Sequence, residues 1–81
     1  MTVSVLLFAR ASELAGTSST DLEFDENPTV AQFKVALTQR FPELELLSKQ
    51  LLVAVNNNYV QDGDIIPDNA EVACFPPVSG G

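Results

Sequence analysis

The last seven residues, Phe75-Pro76-Pro77-Val78-Ser79-Gly80-Gly81, carry the most distinctive reactive group of this sequence, the α-carboxylate of Gly81. Gly80 and Gly81 lack a Cβ, so they adopt backbone conformations closed to other residues and fit a channel too narrow for side chains. Pro76 and Pro77 restrict φ and favour an extended path toward that end. Six extended residues from Pro76 to Gly81 reach roughly 20 Å, enough to enter a partner's buried site. A carboxylate is a poor electrophile because its charge repels nucleophiles. An ATP-consuming partner would overcome this by forming an acyl-adenylate at Gly81. Sulfide attack on that adenylate gives a thiocarboxylate, a soft nucleophile; amine attack gives an isopeptide.

Other common chemistries are missing. There is no histidine, so neither a Ser-His nor a Cys-His pair can form. No Cys/His cluster suits zinc, and no glycine-rich loop precedes a helix to cradle phosphate. Asp62-Gly63-Asp64 reads as a turn rather than a calcium loop, because no properly spaced bidentate Glu follows. Cys74, the single cysteine, falls mid-strand beside Val72 and reads as a buried structural thiol. It cannot form an internal disulfide, which fits a cytoplasmic protein. Four basic residues against eleven acidic ones give a net charge of −7. That sign disfavours nucleic acid and suits a basic protein surface. No apolar run approaches the ~20 residues of a membrane span.

The elements that would position the terminus follow from periodicity. Thr2 to Ala9 is a strand with Val3, Val5 and Leu7 on one face and Ser4, Leu6 and Phe8 on the other. Arg10 to Ala15 forms a short helical turn stopped by Gly16. Thr20 to Asp25 alternates, with Leu22 and Phe24 inward. Thr29 caps a helix, with Gln32 placed for a capping box. Val30, Phe33, Leu37 and Phe41 form its buried stripe, and Pro42 ends or kinks it. Glu43 to Lys49 suits a further short helix packing Leu44 and Leu47. Leu51 to Val55 is a strand, Asn56-Asn57-Asn58 a turn, and Tyr59-Val60 at most a very short strand. Pro67 to Ala70 is a turn, and Glu71 to Phe75 the last strand.

The order β, β, α, β, short β, β with one main helix points to an α+β fold, a β-grasp or ubiquitin-like roll with a mixed sheet packed on that helix. A ferredoxin-like sandwich is the runner-up, and it needs a second full helix. The apolar first and last strands suit central positions covered on both faces. Residues 1–75 would be the β-grasp domain and 76–81 an extended Gly-Gly tail. Alternation leaves Phe8 and Phe75 facing away from the helix on neighbouring strands. Together with Tyr59 they would form an exposed apolar patch fit to dock a partner.

The whole chain resembles the small, sulfur-carrying subunit of molybdopterin synthase. The matching residues are Leu7-Phe8-Ala9, Glu13-Leu14-Ala15-Gly16, Leu52-Val53-Ala54-Val55-Asn56, Glu71-Val72 and the Phe75-to-Gly81 ending. The ending is the specific part. Two positions depart from the family pattern: Ser12 stands where an arginine often precedes Glu13, and Asp68-Asn69-Ala70 replaces an Asp-Gly-Asp turn. The resemblance implies a thiocarboxylate on Gly81 and a tail of Pro76, Pro77, Val78, Ser79 and Gly80 inserted into a large subunit. Sulfur would pass there to a cyclic pyranopterin monophosphate in molybdenum cofactor biosynthesis. It implies a heterotetramer of two small and two large subunits, with the catalytic pocket on the large one. It also implies a ubiquitin-activating-type adenylating enzyme using ATP and Mg, a sulfurtransferase as sulfur source, and no cofactor or metal on this chain.

Two other uses of the same tail remain open. One is a sulfur carrier for thiazole synthesis or tRNA thiolation, where the Phe-Pro-Pro approach to the diglycine is less usual. The other is a ubiquitin-like modifier conjugated to lysines. A plain structural interaction domain leaves the tail unexplained.

Overall fold

Alternating apolar residues and one capped amphipathic helix assemble into a five-stranded mixed sheet with the helix across one face. The computed structural model describes residues 1–48 and 50–76. The strands are β1 (Thr2–Leu7), β2 (Ser19–Glu23), β3 (Leu52–Val55), β4 (Asn58–Tyr59) and β5 (Glu71–Phe75), in spatial order β2-β1-β5-β3-β4. The first and last strands are parallel neighbours, with Val5 opposite Val72 and Leu7 opposite Cys74. The other pairings are antiparallel. This is the β-grasp roll.

Helix α1 (Ala9–Ala15) ends at Gly16, whose φ of 76° is left-handed and lets its N–H reach the Ser12 carbonyl. Glycine takes that conformation without a Cβ penalty. The main helix α2 (Val30–Arg40) begins with a complete capping box. The Thr29 hydroxyl accepts from the Gln32 N–H at 3.1 Å, and the Thr29 N–H donates to Gln32 Oε1 at 2.9 Å. Val30, Phe33 and Leu37 are buried. Phe41, expected as the fourth member of the stripe, packs half-buried on the core from outside the helix. Its φ of −129° and ψ of 83° are non-helical, as Pro42 demands of its predecessor. A 3-10 turn (Pro42–Leu44) and α3 (Glu45–Ser48) follow. Leu44 is fully buried and Leu47 half-buried. Lys49, the expected end of that helix, lies outside the described residues.

The core lies between α2 and one sheet face. It joins Val3, Val5 and Leu7 to Val53, Val55, Val72 and Cys74, with Leu22 and Ile66 beside them. Asn56 and Asn57, at φ 50° and 71°, turn β3 into β4. Consecutive left-handed residues match the twist of a tight hairpin, and asparagine tolerates them. Asn69, at φ 59°, likewise makes the turn before β5 without glycine. The expectation that β1 and β5 are covered on both faces is not met. With one full helix, nothing among the described residues covers the second face of the sheet. Leu6, Phe8, Ala73 and Phe75 therefore remain half-buried or exposed there.

Candidate functional site

The uncovered sheet face carries the aromatic cluster. Phe8, just after β1, stacks on Phe75, at the end of β5, with ring centroids 4.8 Å apart and planes 8° from parallel. The parallel pairing of β1 and β5 brings them together, and the Phe8 N–H donates to the Cys74 carbonyl at 3.2 Å. Tyr59 of β4 tilts against Phe75 at 6.4 Å. Phe8 is 41% and Tyr59 73% exposed. The three residues expected to form an apolar patch thus do so, at the strand end from which Pro76 continues. Pro77, Val78, Ser79, Gly80 and Gly81, the rest of the expected tail and its reactive terminus, lie outside the described residues.

Leu52 belongs to the same patch and escaped the sequence reading. It lies opposite Phe75 in the β3–β5 register and is 42% exposed. Its outward placement follows from alternation with Val53, but its proximity to Phe75 requires knowing that β3 pairs with β5. Leu6 and Ala73 adjoin it, as registered partners on β1 and β5. Farther along the same face the character changes. Asp21 and Glu71 lie opposite Ser4 from either side, and Glu23 lies opposite Thr2. The Thr2 hydroxyl donates to Glu23 Oε1. The face therefore has an apolar half near the chain end and an acidic half away from it.

The remaining candidates resolve as structural groups. Cys74 is fully buried, and burial pushes its thiol up to about 12, opposed weakly by the charge of Lys34. It is therefore a thiol at neutral pH and no nucleophile. Asp62 and Asp64 belong to a closed turn. Asp64 Oδ2 accepts from the Gln61 N–H at 2.8 Å, and Asp62 Oδ1 accepts from Lys34 Nζ at the same distance. No group of three acidic, cysteine or histidine side chains among the described residues is arranged to hold a metal. No described helix is long and apolar enough to cross a membrane.

Fold and face together define a ubiquitin-like β-grasp protein with an exposed apolar patch beside its last strand. The chain belongs to the ThiS family, whose model matches residues 5–81. It is 42% identical to the molybdopterin synthase sulfur carrier subunit of Escherichia coli, over 98% of this chain and 99% of that one. Its structure is similar to that of small archaeal modifier protein 1 from Haloferax volcanii, with a TM-score of 0.85 and 28% identity over 95% of this chain and 98% of that one. The fold also matches a chain in the complex of subunits 1 and 2 of the molybdopterin-converting factor from Helicobacter pylori. That match has a TM-score of 0.69 and 17% identity over the full length of both chains.

Proposed function

We propose that this chain is the sulfur-carrier subunit of a molybdopterin synthase. Residues 1–75 form the body and residues 76–81 a tail ending in the reactive carboxylate of Gly81. The observation that carries the reading is the Phe8–Phe75–Tyr59 cluster at the root of that tail. It offers a partner an apolar anchor a few residues from the terminus, so docking the face aims the tail. The likeness to the E. coli carrier along nearly its full length supports the same reading.

In this scheme an adenylating partner joins the Gly81 carboxylate to the α-phosphate of ATP and releases pyrophosphate, with Mg neutralising the phosphates. Sulfur delivered as a persulfide by a sulfurtransferase then displaces AMP to give an acyl disulfide, and a thiol reductant cleaves its S–S bond to leave the terminus as a thiocarboxylate. The large subunit, counterpart of the second protein in the H. pylori complex, binds the face and receives the tail in its pocket. There the sulfur passes to a cyclic pyranopterin monophosphate within a heterotetramer in the cytoplasm. The acidic half of the face meets a basic rim on that partner and gives the encounter a salt dependence.

Adding one residue after Gly81 tests the assignment. The extended protein should fold normally and bind the large subunit through its face, yet form no thiocarboxylate, as read by intact mass. Sulfur transfer retained by the extended protein would overturn it. Gly80→Ala should impair charging or insertion through its added Cβ.

A second reading, a modifier joined to lysines of other proteins, is favoured by the similarity to small archaeal modifier protein 1. It uses the same activated terminus with an amine as acceptor. Foreign lysines carrying the branched C-terminal peptide of this chain, residues 50–81 after tryptic cleavage at Lys49, found by mass spectrometry of cell extracts, would establish it; their absence under conditions of active charging leaves the sulfur carrier.

A further inference from the structure

An activated acyl terminus is dangerous to its own carrier, because any accessible amine on another copy can consume it. The chain has two lysines, Lys34 and Lys49. Lys34 stands on α2, yet its ammonium does not project freely into solvent. Its side chain is only 17% exposed, and Nζ lies 2.8 Å from Asp62 Oδ1. Asp62 is itself anchored. Its carbonyl accepts from the Ala31 N–H at 3.0 Å, and the Asp64 carbonyl accepts from the Val30 N–H at 2.9 Å. The turn is closed by the Asp64 N–H to the Gln61 carbonyl at 3.0 Å. Backbone bonds independent of the lysine thus seat Asp62 beside the first turns of α2, within reach of the Lys34 ammonium, while its own side chain remains 66% exposed.

From this geometry we infer that Asp62 guards Lys34 against acylation, so that the helix amine of one copy does not capture the activated terminus of another. The inference rests on the proposed activation of Gly81. The reaction withheld is attack of Lys34 Nζ on the acyl-adenylate. An amide would form, AMP would leave with the electrons of the broken acyl–phosphate bond, and the amine's proton would pass to water. Attack needs a free lone pair facing the acyl carbon. Lys34 must first leave the carboxylate, and its half-buried stem limits the approach. Separating the amine from the carboxylate of a partly exposed ion pair costs up to roughly fivefold. Steric screening adds to that.

Limiting acetylation with N-hydroxysuccinimidyl acetate tests the guard without any chemistry at Gly81. Peptide mass spectrometry reads the Lys34 rate on the intact protein against N-acetyl-lysine amide in the same tube. Lys34 should react at least threefold more slowly than the model amine, and Asp62→Ala should raise its rate by up to roughly fivefold, not beyond that of the model amine. Lys34 reacting as fast as the model amine would overturn the inference, as would an unchanged rate in a folded Asp62→Ala protein. If Asp62→Ala unfolds, the wild-type rate against the model amine decides alone. A second arm charges both proteins with ATP and the adenylating enzyme. Lys34 carrying the branched peptide 50–81, the tryptic remnant because no Lys or Arg follows Lys49, should be several-fold more abundant in Asp62→Ala than in the wild type; equal levels in both would count against the guard. Failure of either protein to charge would count against the Gly81 assignment and leave the acetylation result standing.

Discussion

The Phe8 ring lies face to face with that of Phe75 at 4.8 Å, joining the ends of the first and last strands on the face that α2 leaves open. Sixty-six residues of chain separate the two (75 − 8 − 1), and only the parallel β1–β5 pairing makes them neighbours. Stacked aromatics left half open to water have a packing role and a docking role, and substitution separates the two.

Phe8→Ala and Phe75→Ala should each weaken binding of the large subunit by about 2 kcal/mol, roughly thirtyfold in Kd. The stack itself contributes about 1 kcal/mol to stability, so each variant should stay folded with a modestly lower urea midpoint. Isothermal titration beside urea unfolding reads both effects. Wild-type affinity in both variants would remove the face from the partner interface.

Ala9 sits at φ 52° immediately after Phe8. A left-handed L-residue costs roughly 1–2 kcal/mol, and glycine avoids that cost while losing more backbone entropy on folding. Ala9→Gly should therefore stabilise the protein by about 0.5–1 kcal/mol. Ala9→Val should destabilise it, because a β-branched side chain is poorly accommodated at positive φ. Denaturant titration gives both signs.

Thr29→Ala removes the hydroxyl that accepts from the Gln32 N–H. Loss of an N-cap of this kind costs about 1 kcal/mol. The change should appear as a lower urea midpoint with an unchanged m-value, since the surface exposed on unfolding stays the same.

Cys74 gives the protein an alkaline limb. Its thiol titrates near 9.0 when free and near 12 in the native core, because burial disfavours the thiolate. Between those values the unfolded chain gives up the proton and the native chain keeps it, so rising pH favours unfolding. The stabilisation is complete below pH 9 and lost by about pH 12. Cys74→Ala should flatten that limb in unfolding curves measured from pH 8 to 11, at a fixed cost from the smaller side chain. The native thiol should also resist a thiol-specific reagent at pH 8 until denaturant is added.

Local patterns determined much of this molecule. The Thr29–Gln32 box, the Gly16 stop, the break at Pro42 and the asparagine turn each depend on a few adjacent residues and their φ preferences, so the sequence alone placed them. Alternation in Thr2–Leu7 and Glu71–Phe75 likewise assigned Val3, Val5, Leu7, Val72 and Cys74 to one face, because side chains in a strand repeat every two residues. The Phe8–Phe75 patch was legible once the two strands were taken as neighbours. What tertiary structure decided was contact between distant segments. β1 and β5 carry apolar residues on both faces, Leu6, Ala73 and Phe75 on the open one, so composition implied two coverings, while a single helix supplied one. Leu52 joined the patch only through the register of β3 against β5. Lys34 met Asp62 only because backbone bonds seat the Gln61–Asp64 turn on the start of α2. Periodicity tells a segment which of its sides is alike; which side meets the core, and which strand lies beside it, is set by the shared burial of residues far apart in the chain.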